Sequence, residues 1–415
     1  MKHPELLSLH SVSDLRISPG ASRCAFLVHT PCEAENNYET HLYVSDFTVS
    51  YPIGVSGITS FAWVDDAALA VGRPNADSTQ FALLSLKDGS EETVWNIPFE
   101  ARIEGWVSGQ LLISARCPIT EEKAQEDGAW TILDELPIWE DSDGYQSKIR
   151  RQLFLCSRIG ELKRISPEEM DVRIVSADSN GLAYAGYIPG SRGRTADEIR
   201  YWDGEERLLC RNCGDIRHLA LGSNYAFIYG LNIESEPDAA PALMQVSLDT
   251  GKAEPLYVSG IAVGNYIVSD IGRQGKILCA DGDALYFSAT KEGTSQIYKL
   301  SASGEPLCLT LASGSIEQLD VQAGRIAFAG LRKGSCQEVY VLEDGEQMIS
   351  HLHGNDTLPF YPMVQIPCHG IQGWALREET EEKTCPAVIF LHDGPQQAFG
   401  EVYHFGMQLL AQNGY

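Results

Sequence analysis

Few residues in this chain have the types and spacing to do chemistry. Cys210-Arg211-Asn212-Cys213 has the spacing of a redox pair or of half a zinc knuckle. No second pair accompanies it and no strand–helix–strand pattern surrounds it, so a turn between strands is the plainer reading. His351-Leu352-His353 would place both imidazoles on one face of a strand, yet two ligands do not make a metal site. His392 ends an apolar run and could act as a base, although anchoring the loop that follows through its ring nitrogens is the simpler role. Gly-x-Ser-x-Gly, which sets a serine nucleophile on a strained strand-to-helix turn, does not occur; Gly20-Ala21-Ser22-Arg23-Cys24 and Gly89-Ser90-Glu91 are turn sequences. No catalytic nucleophile is therefore assigned, and no metal or cofactor is expected.

The elements that must position these residues change character along the chain. Thr384-Cys385-Pro386-Ala387-Val388-Ile389-Phe390-Leu391-His392-Asp393-Gly394-Pro395 reads as a buried strand running into a sharp, glycine-containing loop. An amphipathic stretch from Val402 to Leu410 follows. Strand, loop and helix in that order are the opening of an α/β domain. Without parallel neighbours, such a strand would leave apolar surface and open edges. Before it, Val364 to Leu376 reads as a hairpin turning at His369-Gly370.

Upstream of residue 355 the chain is strand after strand, with hardly any helical periodicity. One pattern recurs, an apolar or aromatic strand closed by a turn that carries an acidic residue, a glycine or both. Its copies are Leu42 to Asp46, Phe81 to Gly89, Leu153 to Gly160, Tyr201 to Gly204, Met244 to Gly251, Ile297 to Gly304 and Glu338 to Gly345. Seven copies at about 40–50 residues match the period of a four-stranded propeller blade. A pair of β-sandwich domains is the alternative. The wider spacing between the second and third copies marks an insertion, Glu121 to Gln146. The expected architecture is mainly β: a segment 1–9, a seven-bladed β-propeller over 10–355, and the start of a second domain over 356–415.

Bulk properties exclude several functions. A chain that is 44% hydrophobic can bury a core, and a net charge of -26 leaves no basic patch for nucleic acid or an anionic membrane surface. No apolar run reaches eighteen residues, and the first residues have no apolar signal region. Eleven irregularly spaced cysteines fit a reducing compartment, so a cytoplasmic location is expected.

Taken together, the propeller pattern, the hairpin ending in Gly373-Trp374, the run Pro386-Ala387-Val388-Ile389-Phe390-Leu391-His392-Asp393-Gly394-Pro395 and the closing Asn413-Gly414-Tyr415 resemble the prolyl oligopeptidase family of serine peptidases, its acylaminoacyl-peptidase-like branch most closely. Asp134 to Trp139, Gly144-Tyr145 and Arg150 to Phe154 also look like this branch. The resemblance implies a propeller capping an α/β-hydrolase domain and acyl transfer to a serine, with short peptides as substrates and no cofactor. It implies a backbone oxyanion donor at Gly394, in a loop where this chain has Asp393 in place of the family's usual glycine. Asp at that position would be strained at positive φ and would set a carboxylate near the oxyanion. Trp130, Trp139 and Tyr145 in the insertion are candidates to line the substrate cavity, or else they pack the insertion on its blade. Glu205-Glu206 invites comparison with the paired glutamates that grip a substrate N-terminus in the family's dipeptidyl peptidases, but its surroundings do not match and a solvated turn is the plainer reading. In the family's chain order the nucleophile, acid and histidine come later than residue 415. These residues are thus expected to be an N-terminal portion, inactive alone, truncated within the hydrolase domain or completed by a second polypeptide. A non-catalytic propeller scaffold is the alternative.

Overall fold

Alternating apolar and polar residues separated by glycine and aspartate turns fold here into antiparallel meanders. The computed structural model describes residues 7–119, 139–140, 144–145, 148–190, 196–231, 241–300, 305–354, 361–368, 371–377, 386–392, 394 and 396–415. Seven sheets of four or five strands follow one another in chain order, and the chain is a mainly β, seven-bladed propeller.

Each copy of the sequence repeat is the next-to-last strand of its blade: Asn37–Ser45, Ser78–Ser85, Ile149–Cys156, Glu198–Trp202, Ala242–Ser247, Thr294–Leu300 and Gln337–Leu342. The aromatic residue recurs there because its ring meets a ring directly opposite on the preceding strand. Tyr43 stacks on Phe26 at 5.7 Å between centroids, Tyr298 on Phe287 at 5.9 Å and Tyr340 on Phe328 at 5.1 Å. Such cross-strand pairs add to the area they bury.

Two compact units divide the chain. Ile58–Tyr257 holds four blades, the second to the fifth. Their faces interlock through three apolar layers: Phe81 and Trp95 with Ile103 and Ile113, Leu112 and Leu155 with Val172 and Tyr184, and Ala185 and Ile199 with Ile216 and Ile228. Inside the insertion the described residues form a two-rung ladder, with Trp139 opposite Tyr145.

The other unit, residues up to Gly57 and from Val258 onward, holds the first, sixth and seventh blades, the hairpin Val364–Cys368 with Ile371–Ala375, and the helix Phe405–Gln412. His369 and Gly370, the expected turn of that hairpin, lie outside the described residues. The first and seventh blades share one core, in which Val12 and Phe26 meet Ala327 and Val339. Among the described residues, no strand from the start of the chain enters the seventh blade, whose strands Gln318–Gln322, Arg325–Leu331, Gln337–Leu342 and Glu346–Met348 pair in sequence order. Side chains make the junction instead. Gln337 Oε1 accepts the Val12 N–H at 2.7 Å, Asp320 Oδ2 accepts the Ile17 N–H at 2.7 Å, and Gln318 Oε1 accepts the Leu15 N–H at 3.4 Å. These bonds satisfy edge amides that would otherwise be buried unpaired. Nearby, His353 holds its Nδ1 3.0 Å from Glu338 and accepts the His10 N–H on Nε2 at 3.0 Å.

One expectation needs correction. Ala387–Leu391 is not a buried strand: it pairs with no neighbour among the described residues, and Ile389 and Leu391 are 84% and 86% exposed. Apolar composition alone does not make a strand, because its backbone groups need a partner ladder.

Candidate functional site

The chemistry-bearing loop is held from below by the sixth blade. Ala398 donates its N–H to Tyr266 O and accepts the Val268 N–H, both at 2.9 Å, forming a short parallel bridge opposite Ile267. Gly400 is required at this crossing, since a Cβ there would lie 2.0 Å from Gly293 O. Trp374, at the end of the hairpin, lies against the other side of Gly293. Above this anchor the His392 ring meets Phe399 edge-on at 5.6 Å, and Phe390 lies 6.0 Å from the His404 ring. Gly394 has φ +55°, with nothing within 4 Å of where a Cβ would stand, so backbone conformation and not crowding favours glycine there. Its neighbour Asp393 lies outside the described residues.

The helix Phe405–Gln412 begins without a cap of its own, because the His404 side chain makes no capping bond. Asp270, from the loop of the sixth blade, supplies one across the chain. Its carboxylate accepts the N–H groups of Phe405 and Gly406, both at 2.7 Å, and lies 3.0 Å from His404 Nδ1. Burial pushes the Asp270 carboxyl up, but the His404 ring and the two amides outweigh it and hold the group below the ordinary carboxylate range. Behind the cap, Leu9, Ile267, Leu331, Val402 and Tyr403 form a buried cluster. Gln408 fixes the next turn by bonding both the N–H (2.8 Å) and the carbonyl (3.0 Å) of Tyr361.

Asp270→Ala is expected to destabilise this helix by about 1–2 kcal/mol, the usual cost of a lost cap. Because the native carboxyl is depressed, the stabilisation is present above its unfolded value and disappears as pH falls through the folded one. Hydrogen exchange of amides 405–409 should therefore quicken in the variant at neutral pH and match the wild type in acid. Unchanged exchange at neutral pH would dismiss the cap.

The other candidates are not gathered here. Glu206 is bound by Arg200 at 2.6 Å and Tyr184 OH at 3.1 Å within its own blade, while Glu205 is exposed, so the two do not form a joint anchor. His351 is exposed and His353 is engaged with Glu338 and His10. Trp130 lies outside the described residues, and Trp139 and Tyr145 are described only as a backbone pair. Ser13 Oγ does sit 2.8 Å from His29 Nε2, but Arg273 also reaches that nitrogen at 3.2 Å and Nδ1 faces the Thr40 hydroxyl, not a carboxylate. This is structural bonding and not an activated serine. Among the described residues, no group of three His, Cys, Asp or Glu could hold a metal ion, and no helix is long and apolar enough to cross a membrane. Sequence reasoning missed Asp270, since a cap lent from 135 positions away leaves no local signature.

No protein-family model matches the chain. The uncharacterized peptidase YuxL of Bacillus subtilis is similar over 99% of this chain and 69% of its own length, at 19% identity. Among solved structures, the acylaminoacyl peptidase of Pyrococcus horikoshii superimposes with a TM-score of 0.79 at 17% identity, covering 99% of this chain and 64% of that one. An acylaminoacyl peptidase in complex with Z-Gly-Gly-Phe-chloromethyl ketone gives 0.78 at 17% identity, covering 99% of this chain and 65% of that one. The chain thus spans 64% to 69% of the length of these relatives.

Proposed function

We propose, on the premise that this chain is a member of the prolyl oligopeptidase family of peptidases, that it supplies the propeller and the oxyanion-side loop of a serine peptidase acting on short peptides. The observation that carries this reading is the anchoring of residues 396–412 on the sixth blade. A loop with Gly394 at positive φ is held by the Tyr266–Ala398 bonds, and the helix behind it by Asp270. In this reading 10–355 is the propeller, 356–415 opens the hydrolase domain, and 1–9 packs with the latter. The shared burial of Leu9 with Val402 and Tyr403 supports that last point.

The mechanism follows from what the loop can offer. A serine hydroxyl attacks the scissile carbonyl, a histidine takes its proton and returns it to the leaving amine, and an acid orients the histidine. The Gly394 N–H is one donor to the developing oxyanion, a contribution of about 3 kcal/mol for a well-placed amide. Nucleophile, acid and base would come from sequence other than these 415 residues, which contain no Gly-x-Ser-x-Gly. The propeller would admit short peptides and exclude folded chains. A cytosolic setting belongs to the same reading, supported by the nine free cysteines among the described residues. In this reading further strands cover the exposed run Val388–Leu391, whether they belong to the same polypeptide or to a separate one that completes the sheet and the triad.

A fluorophosphonate serine-hydrolase probe tests the proposal on the native host protein. A labelled band of about 70 kDa, the size expected if 415 residues are 64% of the whole, is the expected result. A labelled smaller partner that copurifies with a 45.6 kDa chain would select the two-polypeptide variant. An unlabelled 45.6 kDa band with no labelled partner would reject peptidase function and leave a propeller scaffold. The isolated 415-residue chain should take up no probe.

A further inference from the structure

Two imidazoles tie the start of the chain to the seventh blade. His353 follows the outermost strand of that blade and is engaged on both ring nitrogens. Its Nδ1 lies 3.0 Å from Glu338 Oε1, and its Nε2 accepts the His10 N–H at 3.0 Å. A nitrogen that accepts a backbone N–H carries no proton, so the ring is neutral and keeps its one proton on Nδ1, facing the carboxylate. The His10 ring stands 5.5 Å away, centroid to centroid, and its own Nδ1 meets the Thr30 hydroxyl of the first blade at 3.0 Å. Both residues are half-buried.

This arrangement has no room for one more proton. It would enter at His353 Nε2, where the His10 N–H already points, and set two donors face to face. Glu338 decides which side of the junction gives way. Its carboxylate also accepts the Ser350 hydroxyl and the N–H groups of Leu352 (3.1 Å) and His353 (3.2 Å). Burial pushes the Glu338 carboxyl up, but these bonds, the His353 ring foremost, outweigh it and hold the group below the ordinary carboxylate range. Glu338 therefore stays ionised and keeps the imidazolium in the seventh blade, and the bond that is lost is the one to His10. At His10 itself burial and then the neighbouring His353 lower the pKa, while Glu338 opposes them. With the folded value below the ordinary 6.5, the open form takes up protons first, so closure is complete above 6.5 and weakens as pH falls below it. The other titratable groups of the surrounding elements leave this unchanged. The Cys336 thiol is pushed up by burial and by Glu338 and stays neutral. His29, next to Thr30, points to the other face of its strand, where Ser13, Arg273 and Thr40 engage it. His351 is exposed.

We propose that His10 and His353 form an acid-sensitive latch, which holds the start of the chain on the seventh blade at neutral pH and releases it in mild acid. Leu9, the adjoining residue, is buried with Val402 and Tyr403, so release loosens the packing beneath residues 396–412. The latch belongs to the fold and operates whether or not the chain is part of a peptidase.

The test uses the full 415-residue chain labelled with nitrogen-15 at histidine alone, which reports both the ring nitrogens and the His10 amide by NMR. At about pH 7.5 the His353 ring should carry its proton on Nδ1 and the His10 amide should exchange slowly. Between about pH 7.5 and 5 the His353 ring should protonate, and His10 exchange should quicken about tenfold beyond its intrinsic pH dependence, in one step. The amides of His29, His41 and His218, inside blade strands, should keep their protection. In His353→Phe the His10 amide should exchange fast at every pH. A His353 ring protonated on Nε2 at neutral pH, a His10 amide without a step, a step that persists in His353→Phe, or simultaneous loss of protection at all four amides would overturn the proposal. Should that variant fold poorly, the tautomer and the step in the wild type decide the matter by themselves.

Discussion

Arg332→Met is expected to destabilise the protein by about 3–5 kcal/mol, the largest single effect foreseen here. Arg332 is 2% exposed and sits where the sixth and seventh blades meet. Its guanidinium binds Glu346 through two bonds of 2.9 and 2.6 Å, and also donates to the Ser295 carbonyl at 3.1 Å and to Gln296 Oε1 at 3.0 Å. Methionine fills much of the volume but supplies no donor, so Glu346 would keep a buried charge with no cation beside it. The cost arises mainly from that orphaned carboxylate and not from a strong net attraction, because desolvating the pair already consumed most of the Coulombic gain. Arg332→Met combined with Glu346→Leu should therefore recover much of the loss. Urea unfolding of wild type, single and double variants decides this; a double variant as unstable as the single one would assign the effect to packing.

Glu317→Gln is expected to flatten the dependence of stability on pH and to stabilise the protein in mild base. Glu317 is 3% exposed between the same two blades. Burial pushes its carboxyl up to about 7, and the bonds from Ser315 Oγ (2.9 Å) and Asn265 Nδ2 (3.5 Å) offset only part of this. The ordinary value of 4.5 describes the unfolded chain. Between 4.5 and about 7 the unfolded state ionises first, so the folded state binds more protons and stability falls as pH rises, then levels off. The gap between the two values corresponds to about 3 kcal/mol. Glutamine keeps the shape and cannot ionise. The difference in unfolding free energy between variant and wild type should thus grow from pH 5 to pH 8 in the variant's favour. A difference that stays constant with pH would show that Glu317 titrates as it does in the unfolded chain.

What the sequence revealed was what it stores locally. Tyr43 and Tyr340 each precede an acidic turn and Tyr298 a Ser-Ala-Ser-Gly stretch, and each stacks on a residue of the strand just before it, so the blade period is written within about 40–50 residues. The hairpin around Gly373-Trp374 was legible for the same reason. Long-range pairings were not. Val12 and Gln337 are 325 residues apart, and Asp270 lies 135 residues before the helix it caps. Neither junction requires a residue type that a turn or a strand would not also use. The run Ala387–Leu391 shows the limit from the other side. Its composition names a strand, but strand geometry depends on neighbours, and the described residues provide none. Gly394 was placed by resemblance, and its positive φ is a property no composition could announce.

The side-chain junction between the first and seventh blades bears on how such a protein is made and how it could be rebuilt. Each of these blades is assembled from one unbroken stretch of chain, so the first can finish its ladder as it leaves the ribosome, with no edge reserved for a strand some 300 residues later. Side chains such as Gln318, Asp320 and Gln337, and the apolar core the two blades share, then have to dock. A circularly permuted chain, cut afresh in a loop between two blades, would give up no ladder bond in either sheet.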